Sequence, residues 1–392
     1  MPSLRVVFVT RRFWPLVGSA EKAVAALAAG ARRRGAVPTI LTARWDPDWP
    51  AKAWYDGIPV VRLPIPWGRG WGTVRYMIAL SRWLRRHQSH VDVVCVSRLR
   101  LGAWTAVRAM ARTGIPVVLR AESAGPFGDC HWQQRSRFAA AIGQRCREAA
   151  AIVAPDMAVA RELARAGYAP DRIHVIANGV EAMPAGNGAK RFEARAALAR
   201  VNEDLAVAID APVALYVGRL RKGKNLVELV RAWRSVVQRW PMARLWLVGD
   251  GPLRDALHRE IADCDLARCV LMPGTFDEVD EIFRAANLFV CPSAEPGLPQ
   301  ALLEAIGAGV PVVAADTEDL RRHPGIGGAH VERVPPGQVR ALGKAMIHML
   351  EHPPGREILA RARRGILQRH STVSMVKKHL ELFEHAVRSG TG

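Results

Sequence analysis

Short apolar runs alternate with longer amphipathic stretches along most of the chain. Arg5–Val9, Thr39–Thr42, Val60–Leu63, Val91–Val96, Val117–Leu119, Ala151–Ala154 and Ile173–Ile176 are apolar at nearly every position. Runs of this length predict strands buried on both faces, as in a parallel sheet, rather than strands with one wet face. Helical patterns fall between them. In the first, Gly18-Ser19 starts the helix, Glu21 lies in its first turn and Gly35 ends it. The segment 43–57, "ARWDPDWPAKAWYDG", reads as a tryptophan-rich loop, and Glu181–Ala211 as a linker with a peripheral helix. A second β/α series begins at Ala214. Strands that alternate with helices predict an α/β class with parallel sheets, and 392 residues exceed one core, so two domains are expected.

The second series carries the most chemistry. Leu288–Cys291 and Val310–Ala314 read as buried strands, with the loop Ser293–Gln300 and the helix Ala301–Gly307 between them. Loops at the carboxyl ends of parallel strands bind ligands, and backbone N–H groups at the next helix start can hold a phosphate. Glu295 in that loop and Glu304 in that helix can accept hydrogen bonds from ligand hydroxyls. Upstream, "ALYVGRLRKGKNLVELVRAW" is a buried strand, a loop of glycine and cations, and a helix capped at Asn225. Arg219 and Lys224 converge on that strand exit and suit a diphosphate, arginine as a fork and lysine as a point charge. Anion-binding groups beside two acids suit a sugar nucleotide.

These motifs are recognisable. "SAEPGLPQALLEAIGAGVPVVA" and Gly218-Arg219-Leu220 with Lys224-Asn225 resemble the retaining glycosyltransferases of family 4 (glycosyl transferases group 1), which have the GT-B fold. The resemblance spans nearly the whole chain. It implies two Rossmann-like doubly wound domains facing a central cleft, the first over residues 1–182 and the donor domain over 183–370. Residues 371–392, with a final helix Ser371–Val387, would pack back on the first domain. By the same resemblance, Arg219 and Lys224 stabilise the leaving diphosphate, Glu304 bonds the ribose and Glu295 faces the donor sugar. Gly18 lies under the diphosphate, Asn178 lies near the cleft, and the turn Gly249-Asp250-Gly251-Pro252 approaches the nucleotide. Thr275, within Gly274–Phe276, contacts the base, and Gly297, Leu298 and Pro299 line the donor site.

The chain departs from the pattern in three places. Eight residues rather than seven separate Glu295 from Glu304, with Pro296 as the apparent insertion, and a solvated loop acid is the alternative for Glu295. Ser19 replaces a second glycine, and Glu21 can be read simply as a complement to the helix dipole. The strand ending at Leu119 leads into Arg120-Ala121-Glu122-Ser123 without the family's histidine, and His131 lies too far along to replace it. Arg120, Glu122 and Asp129 are candidates for acceptor or sugar contacts, or for an ordinary surface loop. Asn178 has the alternative of a left-handed turn residue.

Composition limits the remaining choices. The formal net charge of +20 comes mostly from arginine. No nucleic-acid recognition motif accompanies it, so an anionic membrane surface is the better partner and specific nucleic-acid binding is not expected. Trp67, Trp71, Tyr76, Trp83 and several arginines mark an amphipathic helix Thr73–Arg86. Its aromatics either lie at a headgroup boundary or pack on the sheet. The six cysteines form no C-x2-C pair, and no apolar run has the length to span a bilayer. Asp263-Cys264-Asp265 fits a D-x-D metal pattern but falls at a helix end before a strand, away from the ligand edge.

The expected activity is retaining, metal-independent transfer of a sugar from a UDP-sugar or GDP-sugar to a hydroxyl of a glycan or lipid-linked acceptor. No cofactor is expected. The expected location is cytoplasmic, at the inner face of the membrane. Two alternatives stay open: a non-catalytic nucleotide-sugar or membrane-binding relative, and a different GT-B enzyme such as an inverting transferase or an epimerase.

Overall fold

The computed structural model describes residues 3–16, 18–65, 71–135, 137–182, 188–276 and 278–390. The chain divides into two compact units, Met1–Gly179 with Thr372–Gly392, and Val180–Ser371.

The first unit is built on strands β1 (Arg5–Val9), β2 (Val37–Arg44), β3 (Lys52–Tyr55), β4 (Ile58–Pro64), β5 (Val93–Ser97), β6 (Val117–Arg120), β7 (Ala151–Ala154) and β8 (Ile173–Val175). They form one sheet in the order β3-β4-β2-β1-β5-β6-β7-β8. Among the described residues β3 alone runs antiparallel, against β4. Side chains of β1 alternate between two cores. Val6 and Phe8 pack with Val24, Leu27, Val376 and Phe383, whereas Val7 and Val9 pack with Tyr76, Leu80, Leu84 and Ala103. The unbroken apolar run Val6–Val9 is the consequence of having helices on both faces. The final helix, Thr372–Gly390, belongs to this unit and lies against helix Ser19–Arg33. A Cβ on Gly30 would sit 2.4 Å from Val376 Cγ2, so this close contact requires glycine.

Strand β3 corrects the reading of 43–57 as loop. The cue was Asp56-Gly57, whose φ angles of 49° and 70° make the tight hairpin turn joining β3 to β4. The tryptophans and prolines before it obscured a four-residue edge strand. Helix Trp71–Arg86 packs Tyr76, Leu80 and Leu84, four residues apart, into the sheet core. Trp83 packs partly against that core, while Trp71 is 75% exposed. Trp67 lies outside the described residues.

The second unit holds β9 (Val213–Val217), β10 (Arg244–Val248), β11 (Val270–Gly274), β12 (Leu288–Cys291), β13 (Val312–Ala315) and β14 (Val331–Val334). They form a parallel sheet in the order β11-β10-β9-β12-β13-β14. Strand order reverses between β9 and β12. Strand β13 starts later than the sequence suggested because Val310 caps the preceding helix. Gly309 is left-handed at φ 76°, its N–H bonds Ile306 O, and Val310 N–H reaches back to Ala305 O.

Helix Gly188–Val201 in the expected linker is anchored rather than peripheral. Arg195, 6% exposed, donates from Nε to Ala285 O (3.1 Å), from Nη1 to Ile209 O (3.1 Å) and from Nη2 to Asn287 Oδ1 (2.7 Å). Burial pulls the Arg195 pKa down to about 10, with Arg191 adding to the shift. Asn287 Oδ1 also accepts from Val213 N–H, so this arginine is tied to the first strand of the sheet. Replacing Arg195 with Ala leaves buried acceptors without a donor and is predicted to cost about 3 kcal/mol of stability. Urea denaturation of the variant checks this.

Candidate functional site

The carboxyl ends of β9, β10 and β11 press backbone against backbone. Gly218 N–H bonds Val248 O (2.9 Å), Gly249 N–H bonds Gly274 O (2.7 Å), and Leu220 N–H bonds Asp250 O (3.0 Å). A Cβ on Gly249 would lie 1.9 Å from Gly218 O, and one on Gly251 would lie 2.3 Å from Leu220 O. Gly218 and Gly249 also take φ of 153° and 141°, which side chains disfavour. These glycines are therefore fixed by backbone crowding at the ligand edge of the sheet. Thr275 follows β11 and is exposed.

The loop after β9 meets the loop after β12 at the reversal of strand order. Lys224 Nζ lies 2.6 Å from Glu295 Oε2. Arg221 grips the same carboxylate with both terminal nitrogens, Nη2 to Oε2 at 2.7 Å and Nη1 to Oε1. The three side chains are each 17–18% exposed. Gly223, left-handed at φ 87°, leaves room for the carboxylate, since a Cβ there would lie 2.6 Å from Glu295 Oε1. Ser293 Oγ donates to Gly223 O (3.3 Å) and accepts from Glu295 N–H (3.3 Å).

Asn225 corrects a second expectation. It stands before helix Leu226–Arg239 in a left-handed conformation (φ 52°) and makes no side-chain cap. Its Nδ2 instead donates to Pro292 O (2.9 Å), which ties the two loops together.

Of the residues read as a cation pair, only Lys224 reaches the carboxylate. The Arg219 side chain is exposed and meets no acid or carbonyl among the described residues, while its backbone O accepts from Tyr216 OH (3.3 Å). Arg221 takes the place beside Lys224. Sequence reasoning passed it over, although "GRLRKGKN" places four cations within six residues. Helix Gln300–Ala308 follows Pro299 and carries half-buried Glu304, whose Oε1 accepts from Gln300 Nε2 (3.2 Å). Leu298 and Pro299 are half-buried at the start of this helix. Gly297, at φ 93°, donates its N–H to Asp319 Oδ2 (2.8 Å).

Gly18 and Asn178 lie in the first unit. Gly18 is extended at the start of helix Ser19–Arg33, and buried Glu21 folds back so that a Cβ on Gly18 would meet its Oε2 at 2.3 Å. Asn178 is not left-handed. Its Oδ1 accepts from Nη2 of Arg120 (2.7 Å), an arginine 1% exposed. Burial, reinforced by Arg120, drives the adjacent His379 imidazole pKa down to about 3, so this histidine stays neutral. Glu122 accepts from Ser97 Oγ (2.6 Å), and burial raises its pKa despite the opposing pull of Arg120. Asp129 pairs with Arg100 at 3.2 Å and is buried, which removes the surface-loop reading for it; His131 is exposed. Asp263 ends helix Arg254–Asp263, away from the strand exits of the sheet. Among the described residues no group of three His, Cys, Asp or Glu side chains could hold a metal ion, and no helix is long and apolar enough to cross a membrane.

Comparison with known proteins adds the family. Residues 20–182 match the model described as Glycosyltransferase Family 4, and residues 211–352 match Glycosyl transferases group 1. The Putative glycosyltransferase EpsF of Bacillus subtilis is 30% identical over 158 residues, 40% of this chain and 39% of its own length. The lipopolysaccharide core biosynthesis glycosyltransferase LpsD of Rhizobium meliloti is 30% identical over 240 residues, 60% of this chain and 63% of its own. The chain thus spans less than two thirds of either relative. Sucrose-phosphate synthase from Thermosynechococcus elongatus shares the fold with a TM-score of 0.78 at 18% identity, over 98% of this chain and 100% of that one. Anabaena HepE in complex with UDP-glucose superposes with a TM-score of 0.74 at 18% identity, over 97% and 100%. The two family matches take in both Rossmann-like units of a GT-B fold, and the chain belongs to the family 4, group 1 glycosyltransferases.

Proposed function

We propose that the protein transfers a sugar, with retention at the anomeric carbon, from a UDP-sugar or GDP-sugar to a hydroxyl of a glycan or lipid-linked acceptor. The observation that carries this reading is the cation-lined, glycine-walled edge where β9 and β12 exit. Cleaving a glycosyl–phosphate bond builds negative charge on the leaving diphosphate and positive charge on the sugar ring. Lys224 and Arg219 lie on the β9 loop, where they would neutralise the diphosphate, and they supply charge that needs no metal. Backbone N–H groups at the start of helix Gln300–Ala308 add to that field. Glu304, on the first turns of that helix, would accept from the ribose hydroxyls. The sequence offers no obvious enzyme nucleophile, so attack on the same face with help from a leaving phosphate oxygen is the course this reading takes from the family. A role in cell-envelope or extracellular polysaccharide synthesis draws on relatives such as LpsD, named for lipopolysaccharide core biosynthesis.

A lipid-linked acceptor would be met at the inner face of the membrane, and helix Trp71–Arg86 offers the surface for it. Opposite its buried stripe, Trp71, Val74 and Ile78 are exposed beside exposed Arg75, Arg82, Arg85 and Arg86. No acid occurs between Asp56 and Asp92. Apolar anchors among arginines suit an anionic headgroup layer.

Lys224→Ala and Glu304→Ala are each predicted to lower turnover by ~100-fold or more. Near-normal rates in both, measured with any donor the wild type uses, would remove the active-site assignment. A wild type that binds a donor but neither transfers nor hydrolyses its sugar would instead favour a binding protein. Sedimentation with phosphatidylglycerol vesicles is predicted to carry the protein down, and Trp71→Ala with Arg75→Ala to weaken this by ~10-fold, roughly 1 kcal/mol for the arginine and the rest for the indole. Failure to sediment with phosphatidylglycerol vesicles would contradict a membrane role, and equal partitioning onto phosphatidylcholine vesicles would contradict the part given to the arginines.

A further inference from the structure

One carboxylate satisfies two of the cations on the β9 loop. Arg221 holds Glu295 two-pronged and Lys224 caps Oε2, all three less than one-fifth exposed. The seat of this carboxylate has the features of a phosphate seat. It lies where strand order reverses, at the exits of β9 and β12, which is where open α/β sheets take their ligands. An arginine fork accepts a phosphate with the same two parallel bonds it gives a carboxylate. Gly223 keeps the seat free of side chain, for its Cβ would collide with Glu295 Oε1. Glu295 itself comes from Ser293–Pro299, a segment without regular structure that turns at left-handed Gly297. Neither Arg221 nor this pairing is part of the motif that marks Arg219 and Lys224.

We propose that Arg221, together with Lys224, binds the diphosphate of the donor, and that Glu295 occupies their fork in the free protein until the diphosphate displaces it. The inference rests on the donor class proposed above. It gives Glu295 two positions. Paired with the cations, it spares them from standing in a half-buried site uncompensated, a costly state. Displaced, it is an acceptor on the same loop, free to meet sugar hydroxyls.

Glu295→Gln keeps the shape and removes the competing charge. Calorimetric titration of the full chain with inorganic pyrophosphate, UDP and GDP is the test. Glu295→Gln is expected to bind pyrophosphate and the preferred nucleotide ~10-fold more tightly than wild type, and Arg221→Gln ~10-fold more weakly, the range for a charge-assisted bond. In an Arg221→Gln background the gain from Glu295→Gln should shrink, because the released fork is gone. Glu295→Asp keeps the charge and shortens its reach, and should also tighten binding if Glu295→Gln proves unstable. Unchanged or weaker binding by the Glu295 variants, with wild type still binding nucleotide, would overturn the inference and leave the proposed activity standing. Failure of wild type and all variants to bind any of the three ligands would overturn both.

Discussion

In the second unit β12 lies against β9 through Leu288–Ala214 and Phe289–Leu215, with β10 and β11 to one side and β13 and β14 to the other. Connections leaving this central pair must diverge, so the loops after β9 and β12 face each other at the reversal of strand order. The rest of the site depends on that constraint. It brings Arg221 and Lys224 from one loop to Glu295 from the other, and it is held by Asn225 Nδ2 on Pro292 O and by Ser293 on Gly223 O. Neighbouring strand exits are closed by glycines that admit no Cβ, so the edge presents backbone and cations rather than bulky side chains.

The first unit has the same parallel construction and a different polar edge. Its order reverses between β1 and β5, and the carboxyl ends of β5 and β6 carry Ser97, Arg120 and Glu122. Arg120 is buried there with Asn178 as its hydrogen-bond acceptor, and His379 from the final helix lies close enough to feel its charge. The last helix therefore completes the packing beneath a polar edge of a unit whose strands come from the other end of the chain. Gly30, which lets that helix approach, is a packing residue for this reason.

Most of the parallel sheet was legible in the sequence because strands buried on both faces leave continuous apolar runs. Arg5–Val9, Ala151–Ala154 and Leu288–Cys291 have the same bounds in the sequence reading and in the fold. Edge strand β3 was not legible, since one face is wet and its signal lay in the turn rather than the strand. At the site, Lys224 and Glu295 could be named from residue type and spacing, but their pairing could not. Side-chain direction in a loop follows the local backbone, which spacing does not give, and in this loop it is Arg221, not Arg219, that meets Glu295. The donor role of the Asn225 amide was hidden for the same reason: its residue type fits a helix cap, whereas its conformation turns it toward the neighbouring loop.

Binding of a nucleotide sugar at the exits of β9 and β12 comes before any transfer. Titration of the wild-type chain with a panel of UDP-sugars and GDP-sugars, followed by calorimetry and thermal melting, tests it most directly. One class is expected to bind saturably at micromolar concentration, to raise the melting temperature, and to lose both effects in Lys224→Ala. A chain that is folded yet gives no heat and no shift with any nucleotide sugar would contradict it.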